Sequence, residues 1–244
     1  MLAEAWREKK YLLSFGRALL WVGAVMTLGP SRPTAEAPGN DEAIWNAGLA
    51  GEKALEDHLA KSLGDEWVLI SGFKGRNGEV DEILVGPSGM FAIEIKNVNG
   101  VVSCNGDTWS LDKYDRYGNL VESDKPIADK TGRGPSRQLN ESTQPLRENL
   151  RQVQHIYTIV MLTHERARLG DIRDATVDEV SVLSDWSIDS TLQRSKATLS
   201  TSDVDAIARR IVSIQNRKEG TRRSDRKTER NGSSGSGKAT SESA

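Results

Sequence analysis

Apolar and polar positions along this chain fall into blocks whose period changes from one block to the next. ALLWVGAVMTLG (18–29) is apolar on every side and uncharged. From Asp41, the positions Ile44, Gly48, Leu55, Leu59 and Leu63 recur at helical spacing. They predict a helix capped by Asn40 or Asp41 and ended by Gly64. EWVLISG (66–72), EVDEILVG (79–86) and MFAIEIKN (90–97) have strand length and are bounded by turn residues. With Asn77-Gly78 and Pro87-Ser88-Gly89 as turns, they predict a three-strand meander.

Farther along, short strands are expected near 100–104 and 108–112, then an irregular basic loop through 136. Leu139, Leu146, Leu150 and Val153 predict a helix over 136–153 with Ser136 as N-cap. Pro145 implies a kink or break near Thr143–Gln144. HIYTIVMLT (155–163) and ATVDEVSVLS (175–184) predict strands, and 185–195 a short helix. An amphipathic helix follows over 201–214, with Ser202 as N-cap and Asp205 as its reciprocal acid. After Asn216 the chain is a basic cluster followed by Gly and Ser, too polar to bury a core. The order predicts an α/β fold, a mixed β-sheet with helices on its faces. It divides the chain into an apolar segment and linker (1–40), one domain (41–215) and a tail (216–244).

The N-terminal block is ambiguous. Twelve apolar residues fall short of the ~20 that span a bilayer, and lengthening the segment to 11–29 takes in Arg17. A helix packed on the domain or on a second subunit is the favoured reading. A membrane-associated segment is the second, and a signal peptide cut near Ala35-Glu36-Ala37 the third. The favoured reading goes with a cytoplasmic protein.

Composition narrows the chemistry. A net charge of −2 leaves any basic surface local, so Lys125, Lys130, Arg133 and Arg137 are the candidates for tracking a phosphate backbone. Cys104 is the only cysteine, which rules out an intrachain disulfide and, with three scattered histidines, the usual structural zinc site. GFKGRNG (72–78) precedes a strand rather than a helix, the wrong context for dinucleotide binding, and no small-molecule cofactor is expected.

Three acids break the apolar pattern. Glu52 lies on the stripe of the first helix, Asp81 inside the second strand and Glu94 inside the third, two residues before Lys96. Buried charges must be paired or bind metal. Carboxylates converging from neighbouring strands make an oxygen site suited to Mg²⁺ or Mn²⁺. Lys96, on the face of Glu94, is placed to orient water or steady a phosphorane.

Gly51-Glu52, Val80-Asp81, Phe91-Ala92-Ile93-Glu94-Ile95-Lys96-Asn97 and Gly100 together resemble the nuclease-related domain, NERD, of the PD-(D/E)xK nuclease superfamily. Pro135-Ser136-Arg137-Gln138 resembles that family's later motif. The resemblance covers roughly 45–165 and implies a restriction-endonuclease-like core and metal-dependent cleavage of a DNA phosphodiester, leaving 5′-phosphate and 3′-hydroxyl ends. By resemblance Asp81 and Glu94 are metal ligands, with the Ile95 carbonyl as a third. Lys96 positions the water, Glu52 supports the metal or its waters, and Gln138 contacts the site or the DNA. A two-fold homodimer would suit a double-strand cutter. Glu82 departs from the pattern, which has a neutral residue after the Asp. The alternative is a nuclease-fold module that binds nucleic acid or a protein without cutting.

Overall fold

The computed structural model describes residues 12–14, 40–185, 187–194 and 198–216. The apolar block 18–29, its linker and the basic tail after Asn216 lie outside the described residues. Among those described, no helix is long and apolar enough to cross a membrane.

The fold is mixed α/β and contains two mixed sheets rather than the one expected. A short strand, β1 (Leu12–Ser14), pairs in parallel with β2 (Val68–Gly75). β2, β3 (Gly78–Gly86) and β4 (Gly89–Lys96) form the antiparallel meander. Parallel to β4 runs β8 (Ile156–Leu162), and then β10 (Glu179–Val182) completes the six-stranded sheet. The second sheet has the order β7 (Leu120–Pro126), β6 (Thr108–Tyr114), β5 (Val101–Asn105), β9 (Arg168–Arg173). β7 occupies part of the expected loop, and β9 is an unexpected strand. Both are mostly exposed, so neither carries the apolar alternation that would announce it.

Alternating side chains divide the core between the two faces of the larger sheet. On one, Leu55 and Leu59 of α1 (Asn40–Ser62) and Ile188 and Leu192 of α3 (Ser187–Arg194) pack against Leu69, Leu84, Phe91, Ile93 and Ile95. On the other, α2 (Pro135–Asn149) and a C-terminal helix, α4 (201–216), cover Ile70, Ile83, Val85, Met90 and Ala92. The second sheet closes over Val160, Leu162, Val180 and Val182. Cys104 is buried there, and its thiol donates to the Gly106 carbonyl at 3.1 Å.

Three local expectations are corrected. Ser136 does not cap α2. Gly134 does, with Pro135 at the first position, while buried Ser136 Oγ accepts the Trp109 indole N–H at 2.5 Å. Pro145 does not break α2, which runs on to Asn149. The Glu141 carbonyl, which a proline four residues on cannot serve, accepts Asn77 Nδ2 at 3.3 Å. In α4 the capping residue is Ser200, not Ser202. Its carbonyl accepts Val204 N–H and its hydroxyl exchanges bonds with Asp203 rather than Asp205.

Candidate active site

The candidate site begins where the meander opens. β3 and β4 pair from Gly86–Gly89 as far as Glu82–Ile93, and Asp81 is the first residue beyond that ladder. Its carboxylate takes over as acceptor, with Ile95 N–H donating to Asp81 Oδ2 at 2.7 Å. The same region breaks strand alternation. Ile70 and Phe73 face one core although three residues apart, as do Val80 and Ile83. Gly72, at φ 68°, absorbs the twist between them.

On β4, Met90 and Ala92 face α2, so Glu94 and Lys96 project to that side as well. Lys96 Nζ donates to Glu94 Oε1 at 2.6 Å and to Gln138 Oε1 at 3.4 Å. Gln138 in turn donates to the Arg133 carbonyl at 2.6 Å. Residues 42 positions apart in sequence thus meet across the gap between β4 and the first turn of α2.

α1 approaches from the opposite face. A Cβ on Gly51 would stand 2.5 Å from Thr163 Oγ1 and 3.0 Å from Asn97 Cβ, so only glycine lets the helix settle at this depth. Asn97 Nδ2 donates to the Ala47 carbonyl at 2.6 Å and ties the helix to the end of β4. Glu52, next to Gly51, is half-buried, and its charge acts on both Asp81 and Glu82.

Electrostatics bind the group together. Burial, then the charge of Glu94, holds the Asp81 carboxyl well above its ordinary range; Lys96 opposes this and Glu52 adds to it. Burial also raises Glu94, against the pull of Lys96. For Lys96, burial works against the charge, but Glu94 and then Asp81 outweigh it and hold the ammonium above its usual value. It stays protonated at neutral pH.

Glu82 turns away from this cluster toward α1. It is fully buried; Ser71 Oγ donates to its Oε2 at 2.7 Å and reaches Glu56 Oε1 at 3.3 Å. Among the described residues, Glu82 Oε1 has no hydrogen-bond partner.

The loop before α2 is ordered by one acid. Asp129 Oδ1 accepts from Thr131 N–H, its hydroxyl and Arg133 N–H, while Oδ2 accepts from Arg133 Nε. The DKTGR stretch at 129–133 carried this turn signal in its Asp. Arg133 and Arg137 both pair with Glu141, each at 2.8 Å. Lys125 lies on β7 and pairs with Glu122 at 3.1 Å, and Lys130 is exposed on the loop. Of the sequence candidates, Asp81, Glu94, Lys96 and Gln138 come together, and the charge of Glu52 reaches Asp81. Arg133 is tied to Asp129, Glu141 and the Asn77 carbonyl, and Lys125 stands on the second sheet.

Among the described residues, no three His, Cys, Asp or Glu side chains gather closely enough to enclose a metal ion.

Compared with known families, residues 47–164 match NERD, the nuclease-related domain. Searches of curated proteins and of solved structures found no match.

Proposed function

Proceeding from the nuclease-related domain matched over residues 47–164, we propose that this chain is a divalent-metal-dependent nuclease that hydrolyses DNA phosphodiester bonds. One observation carries the reading. A buried carboxylate, a half-buried one, a protonated lysine and a glutamine come together at the point where β3 and β4 part.

The donors suit Mg²⁺ or Mn²⁺. All are hard oxygens, and two carboxylates leave most of an octahedral shell to water and substrate phosphate, as those ions prefer. The raised carboxyls are those a cation would relieve. Asp81, Glu94 and the Ile95 carbonyl would hold the ion, which when bound supplies Lewis acidity and a more acidic water.

The chain's own residues do the rest. Lys96, charged and fixed by Glu94, orients the water and balances charge on the phosphorane. Gln138 fixes Lys96 from the α2 side, close enough to touch the DNA backbone. Glu52 adds negative potential next to Asp81 and supports the ion's waters. Lys130 and Arg137 are the nearby cations assigned to DNA phosphates. Two copies related by a two-fold axis would present two clefts, one per strand.

The test is nicking of supercoiled plasmid with Mg²⁺ or Mn²⁺. Asp81→Asn and Glu94→Gln are each expected to abolish cleavage while keeping the unfolding transition. Wild-type activity in either variant would overturn the assignment. The Lys96–Glu94 ion pair favours one second reading, a cleft kept neutral by its lysine that binds nucleic acid without cutting. Wild-type chain that binds DNA but leaves it intact with either metal would select it.

A further inference from the structure

Among the described residues, five large apolar side chains are exposed: Tyr114, Tyr117, Leu120, Val121 and Leu169. The first four lie on the β6–β7 hairpin. Single apolar residues scattered over a surface are ordinary, but four on one hairpin make a patch that calls for an occupant. Tyr114 pairs with Leu120 across the hairpin, so the two share a face. Along β6, Trp109 and Leu111 are buried, and Tyr114 falls on the other parity.

One acid shapes the tip. Asp115 Oδ1 accepts Tyr117 N–H at 2.7 Å and Asn119 N–H at 2.9 Å, and Oδ2 accepts Asn119 Nδ2 at 2.9 Å. Gly118, at φ 85°, donates its N–H to the Asp115 carbonyl at 3.2 Å. Tyr117 is thereby displayed at 73% exposure. The Arg116 guanidinium lies 4.7 Å from its ring centroid and bonds its hydroxyl. The ring already takes one planar group on its face.

Register brings this tip toward the candidate site. Val101 pairs with Asp112, and a Cβ on Gly100 would stand 2.2 Å from the Asp112 carbonyl. β6 therefore crosses the chain four residues after Lys96. Antiparallel to β5, it continues past Gly100 to the tip. Four residues of chain, one strand pairing and two residues of rise put the Tyr114 backbone within about 26 Å of that of Lys96.

The patch offers ring faces rather than spare positive charge. Lys113 and Lys125 both pair with Glu122, at 3.2 and 3.1 Å, and Asp112, Asp115 and Asp124 stand among them. A duplex presents phosphates and hides its base faces, so it gains little here. An unpaired base has two π-faces and stacks on tyrosine or arginine whatever its sequence. A second copy adding its own strand is poorly served, because register shifts and the positive φ of Asp124 interrupt the ladder of β7.

We propose that the tip of the β6–β7 hairpin is a stacking platform for unpaired DNA bases, with Tyr114, Tyr117 and Arg116 holding a single-stranded segment that leads to the candidate site. The favoured substrate is then DNA with a single-stranded stretch beside the cut. The inference rests on the nuclease reading for its ligand, but its test requires no cleavage.

The full chain is compared with two full-length variants, Tyr114→Ala with Tyr117→Ala and Tyr114→Phe with Tyr117→Phe. Fluorescence anisotropy in EDTA measures binding to a labelled oligothymidylate and to a labelled duplex over a salt series. The alanine variant is expected to bind the single strand roughly tenfold or more weakly, with its salt slope unchanged because no phosphate contact is removed. Duplex binding is expected to change less than about twofold, the phenylalanine variant to bind as the parent does, and all unfolding midpoints to coincide. A full chain that binds no single strand, an equal loss on the duplex, or a loss that phenylalanine does not restore would overturn the inference. So would a dimer of the parent chain that the alanine variant dissolves, which would make the patch a contact between copies. Unchanged single-strand binding in a chain that still nicks plasmid would overturn it and leave the nuclease reading standing. Ring-dependent binding by a chain that cuts nothing with Mg²⁺ or Mn²⁺ would keep the inference and sink the nuclease reading.

Discussion

Glu82 holds a charge-bearing group where the core offers it one hydroxyl. Ser71 serves one carboxylate oxygen, the other has no partner, and burial then the nearby acids hold the carboxyl well above its ordinary range. Asp81 and Glu94 are raised too. Each of the three binds its proton more tightly folded than unfolded. Between about pH 4 and their raised values the folded chain carries more protons, so stability from these groups is greatest at low pH and declines as pH rises through that window. Glu82→Gln keeps the shape and removes the titration. We expect it to stabilise the metal-free chain at pH 7 by on the order of 1 kcal/mol, with the gain shrinking toward pH 4. Urea unfolding at the two pH values measures this, and a loss of stability at pH 7 would show Glu82 ionised and needed. Asp81, Glu94 and Lys96 were visible in the sequence because charged side chains in an apolar run announce themselves. The orientation of Glu82 away from the cluster follows from strand alternation with Leu84, whereas the shift that puts Val80 on the face of Ile83 depends on the break at Gly72, which no run of residue types displays.

At the level of elements, α1 is positioned by absence of a side chain. Its buried stripe is Gly51, Leu55 and Leu59, displaced from the expected Gly48, which is exposed and has open space where a Cβ would stand. Gly51 and Gly48 are alike as letters; only Thr163 and Asn97 distinguish them, and they arrive from distant strands. Gly51→Val is expected to lift α1 from β4, costing about 1–3 kcal/mol, and to lower cleavage by moving Glu52 away from Asp81. Gly48→Ala is the control, expected to stabilise by about 1 kcal/mol through helix propensity and to leave cleavage nearly unchanged. Equal effects of the two changes would sink the account. The meander was legible because short Gly- and Pro-marked turns leave consecutive strands few other arrangements. The second sheet was not, since β7 and β9 are edge strands whose solvated side chains give no period.

The whole molecule folds as more than its matched range. α3 and α4 lie beyond residue 164, yet Ile188 and Leu192 complete one core and Val204, Ile207, Ala208, Ile211 and Ile214 complete the other. β10, also beyond it, pairs with β8. A fragment of residues 47–164 would uncover both faces of the sheet. It is expected to lose cooperative unfolding and aggregate, whereas 40–216 is expected to unfold in one transition; calorimetry on the two fragments tests this. Metal is expected to raise the unfolding temperature of the full chain in proportion to log concentration above its Kd, more at pH 8 than at pH 6, because protons compete for Asp81 and Glu94. A metal effect that survives Asp81→Asn combined with Glu94→Gln would place the ion elsewhere.

Cys104 has a practical consequence. The chain has no other cysteine, and burial, then Asp107, pushes this thiol up to about 11. At neutral pH it offers little thiolate to a maleimide or a disulfide reagent. A cysteine introduced on the surface would therefore be the preferred point of attachment with the native residue left in place. Pairs of fluorophores or spin labels can then be mounted on α1 and the β6–β7 hairpin, making the separation of these two elements a distance that can be followed in solution.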